Sequence, residues 1–291
     1  MNGTKNTMKD KRLAIIGYGF VGKATDYGFP IKTKKLFVDP KLNTQIDSLK
    51  DFDPEIIFIC LPTPMKDDGS QDNKLILSTL REIKEMGFRG TTVIKSTVLP
   101  SLLDEASKII ENLVYNPEFL REKFAEEDFV NSPMVILGGN QKDTKLVKDF
   151  YKNHSICETK NFIFTDLKSA SLIKYSINSF LANKVIFFNG IKQIFDHIDS
   201  NISWNEFANI ISIDERIGSS HMMVPGHDGK LGFGGACFTK DTAALINYAQ
   251  LINEGFELLE STVKINNKIR SDYDELDERE KEQNVNYNFK N

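Results

Sequence analysis

Six short apolar runs recur through the first half of the chain, at residues 12–16, 35–39, 56–61, 91–95, 113–115 and 134–137, with helix-like stretches between them. Most are near-continuous in Val, Ile, Leu and Phe rather than alternating with polar residues. That is the pattern of strands covered on both faces, as in a parallel sheet flanked by helices. Strand and helix in alternation predict an α/β fold, a doubly wound parallel sheet of the Rossmann type, over residues 1–165. From Asp166 the texture becomes helical. One long pattern runs to about Asp199, a second covers Trp204–Ile213, and two more lie between Cys237 and Arg270. Residues 166–270 therefore read as an all-helical central domain. At 291 residues the chain has room for two domains and little for a third. Residues 271–291 hold seven acidic and three basic side chains with few apolar ones, which predicts an exposed, frayed tail.

Charge and hydropathy narrow the function classes. The 37 Lys and Arg against 41 Asp and Glu lack the basic excess that binding a phosphate backbone needs, so no nucleic-acid partner is expected. Apolar runs such as 56–61 and 185–188 are too short to cross a bilayer, and no apolar signal region follows the basic residues Lys5, Lys9, Lys11 and Arg12. A cytoplasmic protein with no membrane partner is expected. Three cysteines, Cys60, Cys157 and Cys237, are too few for a disulfide framework. No metal site is expected.

The first apolar run ends in Gly17-Tyr-Gly19-Phe20-Val21-Gly22 and leads into a helical stretch. In a G-x-G-x-x-G of this kind Gly17 allows the tight turn, Gly19 lets the backbone approach a pyrophosphate, and Gly22 lets the helix pack on the strand. Alone the motif is weak, but here Asp39 ends the next apolar run, where an acid binds a ribose 2′-OH and disfavours a 2′-phosphate. The pattern predicts NAD rather than NADP.

Two further places carry chemistry. In Gly229-Lys-Leu-Gly-Phe-Gly-Gly-Ala-Cys237-Phe-Thr-Lys-Asp241, glycines crowd ahead of a cysteine and a helical run. A cysteine at a helix N-terminus has its thiolate favoured by the helix dipole, and Asp241 falls one turn further on the same face. A buried thiol after a flexible turn is the alternative. In the long helix an apolar stripe passes through Ala170, Ile173, Ile177 and Phe180, with Lys174 and Asn178 bordering it at i,i+4. Such a pair can stabilise a developing alkoxide and hold a water, or it can be a snorkelling lysine beside a solvent-facing asparagine. Spacing alone does not decide either case.

Taken together, these residues resemble the nucleotide-sugar dehydrogenases typified by UDP-glucose 6-dehydrogenase and GDP-mannose dehydrogenase. The likeness rests on the glycine fingerprint, Leu61-Pro-Thr-Pro64, Lys95-Ser-Thr-Val98, Asn116-Pro-Glu-Phe-Leu-Arg-Glu122, Asp166-Leu-Lys-Ser-Ala170 with Lys174 and Asn178, Asp214-Glu-Arg-Ile-Gly218, and Gly232–Asp241, in the family's order. It implies oxidation of a primary alcohol to a carboxylate with two NAD in succession. Lys174 and Asn178 would hold the alcohol or a water, Asp241 would assist proton transfer, and Cys237 would carry a thiohemiacetal and then a thioester. Glu118 and Glu122, with Thr97 nearby, would position the hydrolytic water. The resemblance further implies that Phe20, Val21, Thr63 and Thr97 contact the cofactor, that Phe119, Leu120 and Gly234 contact a nucleotide-sugar substrate, and that Arg216 reaches the substrate of a neighbouring subunit in a homodimer built on the long helix.

The sequence departs from the family in one respect: the pattern stops after the central helix, where relatives continue into a third, nucleotide-binding domain. Truncation, supply of that domain by another chain, and a natural minimal form are all open. Two other readings compete. A β-hydroxyacid dehydrogenase joins similar domains, uses a Lys-x-x-x-Asn pair and performs one two-electron step, though Cys237 and Asn116-Pro-Glu118 speak against it. A catalytically idle NAD-binding protein is the second.

Overall fold

The apolar runs assemble into one seven-stranded sheet in the computed structural model, which describes residues 10–273 and 275–289. The strands are β1 (Lys11–Ile16), β2 (Thr33–Val38), β3 (Ile56–Ile59), β4 (Thr91–Ile94), β5 (Leu113–Tyr115), β6 (Val135–Gly139) and β7 (Phe162–Thr165), in the spatial order β2-β1-β3-β4-β5-β6-β7. Five strands run parallel; β6 pairs antiparallel with β5, and β7 follows β6 in parallel. The sequence reading assigns no strand at β7. It is an edge strand with Ile163 and Phe164 exposed, so it lacks the two-sided cover that marks the others.

Helices α1 (Phe20–Gly28), α2 (Ser48–Phe52), α3 (Lys74–Glu85), α4 (Pro100–Ile109), α5 (Ala125–Val130) and α6 (Gln141–His154) connect the strands. Local chemistry starts several of them: Pro100 sits at the first position of α4, and the Asn140 side chain accepts from the Asp143 N–H to cap α6. Side chains alternate to two cores. One gathers Ile57, Ile59, Ile94, Leu80 and Leu103, and the other Phe29, Phe58, Val93, Phe150 and Tyr151. Each such side chain, fully withdrawn from water, contributes roughly 1.5–3 kcal/mol.

Long helix α7 (Leu167–Phe195) begins the helical part, followed by α8 (Trp204–Ser212), α9 (Ala236–Leu251), α10 (Glu257–Arg270) and the short α11 (Glu278–Glu282). The chain divides into two compact units, one of residues 1–63 and 73–174, the other of 64–72 and 175–291. The division falls inside α7, whose first turns belong to the sheet unit. Ala170 joins its core, and the Ser171 hydroxyl donates to the Val98 carbonyl at 2.6 Å. In the helical unit Phe188, Phe195, Trp204, Met222 and Val224 form a core, and α8 opens with a reciprocal cap between Ser203 and Glu206.

Two expectations are corrected. The apolar line of α7 is buried only at its start, where Ala170 and Ile173 pack into the sheet unit's core; further on Phe180 is 66% exposed, while Lys174, Tyr175, Asn178 and Ser179 are buried. The terminal segment is not frayed over its described residues either. Asp277 and Glu280 close a reciprocal cap on α11, and Glu280, Gln283, Val285 and Phe289 are buried. Asp272, Glu275, Asp277, Glu278 and Glu282 are exposed, but Glu280 is buried as a cap and hydrogen-bond acceptor, so the segment is anchored despite its charge. Residues 274, 290 and 291 of that segment lie outside the described set. Among the described residues no helix is long and apolar enough to cross a membrane.

Candidate functional site

The sheet unit carries a dinucleotide cradle at the point where strand order reverses, with β1 between β2 and β3. Gly17 leaves β1 at φ +90°, and a Cβ there would sit 2.6 Å from the Cys60 carbonyl oxygen. A Cβ at Gly22 would sit 2.1 Å from the Gly17 oxygen. These two glycines are dictated by internal packing. Gly19 is different: it is exposed, precedes α1, and a Cβ there meets nothing within 4 Å. The opening it leaves lies before a helix N-terminus with no side-chain cap, the end of a helix that favours an anion. Phe20 and Val21, both half-buried, open that helix. Asp39 follows β2 with its carboxylate fixed by the Tyr18 N–H at 2.7 Å and the Lys41 N–H at 2.8 Å. Thr63 and Thr97 are buried and joined, the Thr63 hydroxyl donating to the Thr97 carbonyl at 3.1 Å. The donors, the glycine opening and the acid fit an NAD molecule.

Behind the β4 and β5 ends lies a buried polar cluster. Lys174 Nζ approaches Glu118 Oε1 at 3.6 Å and lies 4.9 Å from the centre of the Phe119 ring, and both charged residues are buried. Glu118 Oε2 accepts from the Leu120 N–H at 2.6 Å, which fixes the carboxylate's direction. Lys95 Nζ donates to Asn116 Oδ1 at 3.0 Å and to the Tyr151 hydroxyl at 3.2 Å, and Asn116 Nδ2 donates to the Ile136 carbonyl at 2.9 Å. Burial pulls the Lys95 ammonium below its ordinary value, against the opposing pull of Cys60 and Glu118. A cavity of about 30 Å³, bordered by Lys95, Asn116, Glu118 and Phe119, is large enough for a water molecule. Glu122 does not share this environment. It is exposed at the start of a 3₁₀ turn, because residues 116–121 are not helical and four-residue spacing stacks nothing there.

In the helical unit, Asp241 is 1% exposed and held from two sides. Asn178 Nδ2 donates to its Oδ2 at 2.7 Å and Lys240 Nζ to its Oδ1 at 2.5 Å. Cys237 is the second residue of α9, half-buried, one turn before Asp241. Gly235 precedes the helix at φ +77°. Gly234 packs against Arg270, whose guanidinium would lie 2.6 Å from a Cβ at that position. Arg216 is exposed and pairs with Asp214 at 2.6 Å. The other cysteines sit differently: burial pushes the Cys60 thiol up to about 12 and also raises Cys157. Among the described residues no cluster of His, Cys, Asp and Glu could hold a metal ion.

Sequence reasoning passed over Lys95, Asn116 and Lys240 as individual groups. The signal for Lys95 and Asn116 is that each immediately follows an apolar strand. Lys240 had none, since neighbours at i,i+1 do not share a helix face and only its long flexible stem returns it to Asp241.

Residues 33–155 match the UDP-glucose/GDP-mannose dehydrogenase family's NAD binding domain, and residues 168–268 its central domain. A UDP-glucose 6-dehydrogenase of Rickettsia felis is 34% identical over 222 residues, 73% of this chain and 47% of that protein. The UDP-glucose 6-dehydrogenase YwqF of Bacillus subtilis is 31% identical over 246 residues, 80% of this chain and 53% of that protein. The chain thus spans about half the length of these curated relatives. Among solved structures, a UDP-glucose dehydrogenase from Pyrobaculum islandicum aligns with a TM-score of 0.75 at 24% identity, covering 92% of this chain and 70% of that one. A 3-hydroxyisobutyrate dehydrogenase from Mycobacterium tuberculosis aligns with a TM-score of 0.67 at 15% identity, covering 92% and 96%. At such identities both show the fold alone.

Proposed function

The chain belongs to the UDP-glucose/GDP-mannose dehydrogenase family, and on that premise we propose that it takes part in the NAD-dependent oxidation of a nucleotide sugar's primary alcohol, UDP-glucose-like, to the carboxylate. The observation that carries this reading is Cys237 in the first turn of α9, one turn before the buried Asp241. A single two-electron oxidation, the β-hydroxyacid alternative, has no use for a thiol there.

An aldehyde cannot give up a hydride until a nucleophile adds to it, which is the task the helix N-terminus prepares Cys237 for. Bound NAD supplies the acceptor for the hydride of each oxidation. In the first, Lys174 and Asn178 hold the alcohol and stabilise the charge developing on its oxygen, with Asp241 assisting departure of the proton. The Cys237 thiolate then forms a C–S bond to the aldehyde carbon, and the oxygen takes a proton to give a thiohemiacetal. Loss of a hydride and that proton leaves a thioester. Water attacks the thioester carbon, the C–S bond breaks, and the thiolate returns. The buried Glu118, beside its water-sized cavity, suits holding that water better than the exposed Glu122 does, with Thr97 in support. Phe119, Leu120 and Gly234 are the proposed sugar contacts. Phe20, Val21 and Thr63 join the glycine fingerprint and Asp39 around NAD.

The deciding experiment screens nucleotide sugars and simple hydroxy acids with NAD and counts NADH per molecule oxidised. Two per nucleotide sugar is expected. One per molecule would favour the β-hydroxyacid reading, and none despite measurable NAD binding would favour an idle protein. Substituting NADP in the same assay tests Asp39, which fails in its proposed role if NADP binds more tightly.

A homodimer through α7 is the proposed assembly. Phe180, Phe187 and Ile194 recur every seven residues along the helix, 66%, 62% and 64% exposed, an apolar stripe of the kind that marks an interface. Arg216, exposed and tied to Asp214 of its own chain, is proposed to act across that interface. Phe187→Asp is expected to weaken self-association by at least about 100-fold at little cost to the monomer. Sedimentation velocity reads the outcome, and a dimer as tight as the parental one would remove α7 from the interface.

A further inference from the structure

The terminal segment is bound to the loop that leads to Cys237. Glu280 Oε1 accepts from the Gly235 N–H at 2.9 Å and from the Tyr287 hydroxyl at 2.6 Å, while its Oε2 accepts from the Asp277 N–H at 2.8 Å. Gly235 is the residue at which the chain turns into α9, in a left-handed conformation two positions before Cys237. The same loop is held at earlier points too: the Leu231 N–H donates to the Tyr273 hydroxyl at 3.0 Å, the Gly232 N–H to Asn189 Oδ1 at 2.9 Å and the Phe233 N–H to Asn266 Oδ1 at 2.7 Å. Asn189 and Asn266 sit on α7 and α10. The terminal segment supplies Tyr273 and Glu280, and Glu280 holds the point nearest the cysteine.

Glu280 is itself firmly placed. The Met65 N–H donates to the Gln283 carbonyl at 2.9 Å, and Asn267 Nδ2 donates to the Phe289 carbonyl at 2.5 Å. The Phe289 ring lies against Gly69, where a Cβ would come within 2.3 Å of it. Burial alone would raise the Glu280 carboxyl, but hydrogen bonds from Tyr287 and from the Asp277 and Gly235 N–H groups outweigh it and hold it below the ordinary value. It therefore stays ionised, an acceptor towards all three donors.

We propose that Glu280 is a positioning residue for Cys237, fixing Gly235 and through it the first turn of α9, so that residues 277–289 belong to the machinery that presents the nucleophile. The inference rests on reading Cys237 as that nucleophile. A surface tail would have no reason to bury a carboxylate against a backbone N–H of this loop.

The test compares Glu280→Ala with Glu280→Gln in the full chain. Glutamine keeps an oxygen for the Gly235 N–H and loses only the bond to Asp277. In the alanine variant hydrogen exchange across 229–240 is expected to quicken by at least about tenfold, and in the glutamine variant to stay within about threefold of the parental rate. With a nucleotide sugar oxidised by the parental chain, kcat is expected to fall at least about tenfold in Glu280→Ala and recover in Glu280→Gln, with KM for NAD within about twofold throughout. Unchanged kcat in the alanine variant, or an equal fall in both, overturns the proposal. If the parental chain oxidises no nucleotide sugar, the functional reading fails separately, and iodoacetamide labelling of the Cys237 peptide decides the positioning claim. Rates are expected to differ at least about threefold between the alanine and glutamine variants, with glutamine matching the parental chain, and equal rates overturn it. Should Glu280→Ala not fold, Tyr287→Phe removes one donor to the same carboxylate. A twofold to fivefold fall in kcat or shift in labelling is then expected, by roughly the scale of one lost hydrogen bond, and none overturns the proposal.

Discussion

Replacing Cys237 with serine is expected to lower carboxylate formation by at least about 1,000-fold while leaving NAD affinity within about twofold. Acidity separates the two side chains. A thiol with an ordinary value near 8.5 can be drawn towards the thiolate by a helix N-terminus, whereas a serine hydroxyl lies far above the reach of the same field. Serine in a first helical turn costs the fold little, so the loss falls on chemistry. NAD affinity stays because the glycine fingerprint, Asp39, Thr63 and Thr97 all lie in the sheet unit, while Cys237 lies in the helical one. The other cysteines cannot substitute: burial pushes Cys60 up to about 12 and raises Cys157. The measurement is a progress curve with NADH and carboxylate quantified together. A variant stalled at or before the aldehyde yields at most one NADH per sugar. Carboxylate appearing at the parental rate would rule out a covalent step at Cys237.

What the sequence made legible follows from which physics is local. Continuous apolar runs located six of seven strands, because two-sided cover leaves a composition signature; β7, half-exposed at the sheet edge, carries only the short run Phe162-Ile-Phe164 and was passed over. Gly17 and Gly22 were legible for the same reason. A Cβ at either would fall 2.6 or 2.1 Å from a backbone oxygen, which admits no side chain, and the motif records that. Along α7 the inference from apolar periodicity to burial failed beyond the first turns, since periodicity alone does not say whether a stripe meets the chain's own core or stays exposed. Phe180 therefore looked like core, and Lys174 and Asn178 like its margin, when the polar pair is the buried one. The same limit hid Glu280. An acidic segment predicts solvent until its acceptors are seen to have donors, and Gly235 lies 45 residues away in sequence. Non-local hydrogen bonds leave no periodicity to find. Glu122, expected beside Glu118 from the family resemblance, is exposed and follows a segment that is not helical.

Lys174→Met is expected to lower kcat by about 100- to 10,000-fold, the scale of removing a group that moves a proton or stabilises a developing alkoxide. The substitution has a second consequence that must be separated from the first. Lys174 and Glu118 are both buried and 3.6 Å apart, so removing the lysine takes a charge partner from a carboxylate with little access to water. Breaking a buried pair from one side costs about 3–5 kcal/mol, and the lower end applies here because the Leu120 N–H still donates to Glu118 and Lys95 lies close enough to couple to it. Glu118→Gln in the same chain removes the stranded charge while keeping an acceptor for that N–H. The double variant is accordingly expected to regain most of the lost thermal stability, with a coupling of about 1–3 kcal/mol between the two sites, and to stay catalytically silent. Methionine is the informative replacement, since it keeps a long unbranched stem in the buried position while removing the ammonium that lies 4.9 Å from the centre of the Phe119 ring. If the double variant recovered both melting temperature and kcat to within tenfold of the parental chain, the lysine's part would be to neutralise Glu118 and not to act on the substrate.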